Sequence, residues 1–173
     1  MKKLIKIFTS LFLIFGIVTV HIGIKQLAFF PFTYIHIVFI SIAWLILYRS
    51  SPRTLWIALP ATVILELFSA TPFGVTSCAL MITFALMTWL LFRVFTNHSL
   101  LMVGLTGLMG MLCYRILFSI FMVTVARSTG FEINSSLLVE WLLETSITTL
   151  GLVVLYGSTT RFIKRLKPQY IKV

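Results

Sequence analysis

Long apolar runs follow one another along the chain with only short polar breaks between them, at residues 7–28, 32–48, 54–69, 75–95, 100–126 and 136–160. A run of about 20 apolar residues crosses a hydrocarbon core of about 30 Å as a helix, and short connections force neighbouring spans to run antiparallel. The pattern predicts an all-α integral membrane protein, with six transmembrane helices forming one bundle and a single domain over residues 1–173. No internal repeat or low-complexity segment interrupts it.

The run at 54–69 is short. At about 1.5 Å per residue it covers about 24 Å, so its end is expected below the membrane surface. The turn ATPFG after it then dips as well, and non-helical backbone at such depth must be covered by other spans or line a wet cavity. Within this turn Pro72 stops the helix and Gly74 can take a positive φ, while Thr76 or Ser77 can cap the next span.

Composition agrees with the pattern. The chain is 60% hydrophobic and 10% charged, with a mean hydropathy of +1.08, whereas about 25% of a soluble domain is charged. A formal net charge of +10 would point to nucleic acid in a soluble protein, but here the basic residues mark the ends of spans. With a cytoplasmic amino terminus, Lys2, Lys3, Lys6, Arg49, Arg53, Arg93, Arg161, Lys164, Arg165, Lys167 and Lys172 all lie inside; Lys25 and Arg127 lie outside, and Arg115 falls within a span. The positive-inside rule then places both termini in the cytoplasm. The tail TRFIKRLKPQYIKV reads as an orientation signal that also attracts anionic membrane lipid, and it lacks the interleaved aromatics of a nucleic-acid platform. The opening MKKLIKIFTSLFLIFG resembles a secretory signal, but its apolar stretch is too long and has no A-x-A site, so it is kept as the first span.

Four ionisable residues fall inside the predicted spans: Glu66, Arg115, Glu140 and Glu144. Each costs at least about 2.5–3.5 kcal/mol at the centre of a bilayer, so they are expected to face inward and to pair. Glu140, Glu144, Thr148 and Gly151 share one stripe of the sixth span at about 100° per residue. On the fifth span Gly104, Gly107 and Gly110 make a smooth face that another helix, including a partner's, can approach closely. The expected geometry is Arg115 held by Glu144, with Glu140 or Glu66 as second partner. Three roles stay open for this intramembrane polar cluster: a structural clasp, recognition of a partner helix, or binding of a polar ligand or proton. Glu66 has a local alternative, accepting from Ser69, Thr71 or the amides around Gly74 and so pinning the outer loop of Ser69, Pro72 and Gly74.

Cys78 and Cys113 lie in separate spans with no C-x-x-C partner and read as small core residues. His21, His36 and His98 are scattered, which gives no metal site. Intramembrane catalysis would need an aspartate pair, an H-E-x-x-H, a serine with a convergent histidine or an Asp-rich metal site, and the chain contains no aspartate. No enzymatic activity, metal or cofactor is therefore expected.

The stretch ILELFSATPFGVTSCALMITFALMTWLLFRVFTNHSLL, residues 64–101, resembles the MreD family of rod shape-determining membrane proteins. That family typically shows an acid-Leu-x-Ser turn, a glycine with small or aliphatic residues opening the next span, and a basic residue where that span exits. Glu66, Leu67, Ser69, Gly74, Val75, Ala79 and Arg93 match it, with Glu66 where Asp is frequent and Ala70 where Gly is common. The resemblance implies a non-enzymatic scaffold subunit of the bacterial cell-elongation machinery, the elongasome of rod shape and peptidoglycan synthesis, in the inner membrane. It implies a bitopic MreC-type partner and, through it, MreB, RodA and a class B penicillin-binding protein. It also implies an architecture like that of the substrate-binding S-components of vitamin transporters, which supplies the alternative: a ligand-binding subunit of a small-molecule transporter. Against that alternative, residues 7–26 contain no alanine with which to form the usual small-residue docking face.

Overall fold

The computed structural model describes the backbone of residues 2–27, 30, 32–49, 54–94, 99–125 and 135–166, and within these the side chains of 12, 14–26, 30, 32–48, 54–94, 99–125 and 135–162. Arg53, His98, Arg127 and the tail from residue 167 lie outside the described residues. Among the described residues six α-helices run in order, α1 Lys2–Leu27, α2 Ile37–Arg49, α3 Leu55–Leu67, α4 Val75–Arg93, α5 Leu100–Val125 and α6 Ser135–Leu166, with a 3-10 turn at Phe32–Tyr34. No strand occurs among the described residues. Val75–Arg93, Leu100–Val125 and Ser135–Phe162 are long and apolar enough to cross a membrane, while α1, α2 and α3 contribute shorter apolar stretches. Among the described residues the chain is all-helical, and three of its helices have the length and composition of membrane spans.

The second apolar run is not one helix. A 3-10 turn and two non-helical residues precede α2, so His36 sits in a break. Beyond the break α2 has 13 residues and touches α1, α3, α4 and α6. Val38, Phe39 and Ala43 are fully buried and Ile46 and Leu47 nearly so, which makes α2 the central post of the bundle. A polar clamp holds its start: the Thr148 hydroxyl of α6 accepts the His36 amide at 3.1 Å and donates to the Tyr34 carbonyl at 3.3 Å. These are two backbone groups that the break removes from helical pairing, and buried backbone groups need such partners.

The glycine face of α5 is used within the chain. A Cβ at Gly110 would stand 2.6 Å from Met87 Sδ of α4 and 3.1 Å from Phe39 Cζ of α2, and one at Gly107 would stand 2.9 Å from Leu152 Cδ2 of α6. Gly104 has more room, its nearest neighbour being Val153 at 3.5 Å. Small residues here allow close helix approach, as expected, and at Gly107 and Gly110 the bundle's own helices fill the face, while Gly104 is half-buried.

Two other expectations change. Cys78 is exposed and Cys113 half-buried, so neither sits in the core, though both are free thiols as expected. The last helix runs to Leu166, beyond the predicted end at 160, and has 32 residues, against 26 in α5; most of its first turns, residues 135–140, are exposed.

Candidate functional site

The turn after α3 is organised by an acid from the helix it leaves. Glu66, 3% exposed, accepts the Thr76 amide at 2.9 Å and, at 3.4 Å, the Ser77 amide. Its other oxygen accepts the Ser77 hydroxyl. These amides are the second and third of α4, whose N-cap is Gly74 at φ +98° with no capping side chain of its own. The expected caps, Thr76 and Ser77, are instead the residues being capped. A carboxylate at this point satisfies two unpaired donors and faces the positive end of the helix dipole. Ser69, Thr71 and Thr76 complete the turn through hydroxyl contacts of 2.8 and 3.0 Å. Glu66 is thus committed to α4 and takes no part in an ion pair with Arg115.

Arg115 of α5 and Glu144 of α6 form an ion pair, their side chains 13% and 9% exposed. The guanidinium lies over the Trp141 ring at 5.6 Å and over Tyr114 at 5.4 Å, two aromatic faces that favour a cation. The third member of the cluster is Lys25, whose Nζ stands 3.9 Å from Glu144 Oε1, and no second acid comes within ion-pair distance of Arg115 among the described residues. Glu140 is exposed on the first turns of α6, where Leu138, Val139 and Leu142 are also exposed, and it acts on Arg115 only from beyond ion-pair distance.

On the sequence alone Lys25 is a residue of an outer turn and the histidines are scattered. The structure brings them together. Ile14, Val18, His21 and Lys25 fall on one side of α1, and the first three are buried. That spacing of four, three and four is a helical stripe whose last two positions are polar, the signal that could have found them. His21 stacks on His36 at 4.8 Å, and Tyr114 meets His36 edge-on at 5.7 Å. His36 Nδ1 accepts the Phe39 amide, so the neutral ring carries its proton on Nε2.

These groups line a cavity of about 280 Å³ at the end of the bundle where α3 ends and α4 begins. Lys25, His21, Tyr114, Arg115 and Glu144 form its polar wall, Thr71 and Thr76 its turn side, and Leu65, Phe68 and Phe118 its apolar wall. Three buried atoms on its lining residues, His21 Nδ1, Arg115 Nε and Glu144 Oε1, make no hydrogen bond. No group of three metal-ligating side chains occurs among the described residues. A second, almost wholly apolar groove of about 460 Å³ runs between α5 and α6, along Leu112, Ile116, Ile120, Leu138 and Leu142, with Arg115 also on its wall. Compared with family models, curated proteins and solved structures, the chain finds no match.

Proposed function

We propose that this chain is a non-enzymatic scaffold subunit of the MreD type, a multi-pass protein of the bacterial cytoplasmic membrane that serves the cell-elongation machinery. In this reading all six helices cross the membrane, both termini are cytoplasmic, and the cavity end faces outward. The placement of the basic residues supports that orientation. The observation that carries the reading is the Glu66 cap: the acid of the family-like stretch spends its hydrogen-bonding capacity on the N-terminus of α4. It holds a rigid turn and attacks nothing. The single span of an MreC-type partner then has the apolar groove between α5 and α6 to lie against, since Gly107 and Gly110 are filled from within the chain. Affinity purification from the native membrane tests this: a bitopic MreC-type protein is expected to co-purify, and a bulky Ile116→Trp change in the groove is expected to release it.

The polar cavity favours a second reading, an S-component-like subunit that presents a small molecule to a transporter. Co-purification of an ATPase and a transmembrane coupling subunit, with no bitopic protein, would replace the scaffold by the transporter.

A further inference from the structure

We infer that the cavity is a binding site for a small oxyanion, a carboxylate or phosphate with a short apolar body, held by the Lys25 ammonium and the Arg115 guanidinium. The inference deepens the ligand-binding reading by naming a ligand class, and it also applies to a scaffold, whose cavity is the same.

Charge leads to this class first. Two cations, Lys25 and Arg115, share one carboxylate, Glu144. Glu66 gives its oxygens to the α4 amides, and Glu140 acts on Arg115 only from beyond ion-pair distance. The cavity lining itself therefore carries two cations and one acid, with the charges of Glu66 and Glu140 set behind it.

Hydrogen-bonding chemistry leads to the same class. Ammonium and guanidinium groups only donate, and the tyrosine hydroxyl can donate, whereas Glu144 is the one acceptor-only side chain on the wall. Donor excess calls for an acceptor-rich guest. The Arg115 Nε–H is buried and unclaimed, and an oxyanion accepting from it would gain a charge-assisted bond. His21, 2% exposed, has an unclaimed Nδ1, which donates or accepts according to tautomer, and the unclaimed Glu144 Oε1 faces Lys25.

Shape sets the size. About 280 Å³ lies just under the usual range for drug-sized ligands, so the guest is small. Ile22, Leu65, Phe68 and Phe118 on the lining give it an apolar side on which a short hydrocarbon body can rest. Lys25, with 44% of its side chain exposed, stands at the mouth, where it can meet the anion first.

The full-length protein in phosphatidylcholine nanodiscs, at constant ionic strength set with sodium chloride, tests this with two soluble probes, inorganic phosphate and butyrate. A second arm replaces part of the lipid with phosphatidylglycerol and omits the probes, which separates a free anion from a lipid headgroup. A saturable rise in Tm of about 3–6 °C is expected at about ten times the half-saturating concentration. Lys25→Gln should abolish the rise and Lys25→Arg should keep most of it. A rise seen only with phosphatidylglycerol and lost in Lys25→Gln supports the site and identifies the headgroup as the guest. No rise with any probe, or an equal rise in Lys25→Gln, overturns the inference. Because partner identity is read separately by co-purification, an unliganded cavity and a mistaken partner give different results.

Discussion

The carboxylate of Glu66 reaches across the turn to the amide of Thr76, 2.9 Å away, and caps a helix to which it does not belong. Two helices are thereby joined end to end through one side chain. Replacing Glu66 with Leu leaves the Thr76 and Ser77 amides and the Ser77 hydroxyl without their acceptor, and should lower stability by about 1–3 kcal/mol. Hydrogen exchange would locate the effect: amides of residues 69–78 should lose protection while those of α2 keep theirs. Uniform loss across the bundle would contradict a local cap.

Arg115 and Glu144 are a buried pair in which removing one partner strands the other. Arg115→Leu leaves Glu144 with only the distant Lys25 and should destabilise by about 3–5 kcal/mol. Adding Glu144→Gln should recover part of that loss. Reversible unfolding of the wild type, both single variants and the double variant measures the coupling; additive effects would mean that the pair contributes nothing.

Glu140→Gln makes the contrasting case. Glu140 is exposed on the first turns of α6, and a change there should stay within about 0.5 kcal/mol, the spread of ordinary surface substitutions. A loss comparable to that of the Arg115 variant would return Glu140 to the cluster.

The glycines of α5 should separate by one methyl group. Gly110→Ala drives a Cβ against Met87 and Phe39, both essentially fully buried, and overpacking of that kind costs about 1–3 kcal/mol. Gly104→Ala meets only Val153 at ordinary contact distance and should be neutral or stabilising by up to about 1 kcal/mol through helix propensity. Thermal melts of the two variants side by side give the comparison.

The periodicity of apolar residues was enough to determine an all-helical chain with helices of membrane-spanning composition and most helix positions, because burial in hydrocarbon leaves few other ways to satisfy a backbone. It also singled out Arg115 and Glu144, since two opposite charges at similar depth in adjacent spans have a strong reason to meet. Relationships along one helix were legible; those across helices were not. Neither the third member of the ion cluster nor the stacking of His21 on His36 can be read from spacing, because each depends on how α1 is rotated and lowered against α2, α5 and α6. Only that packing decided that Lys25 comes closer to the pair than Glu140 does, that Glu66 turns to backbone amides, and that Gly107 and Gly110 are filled from within.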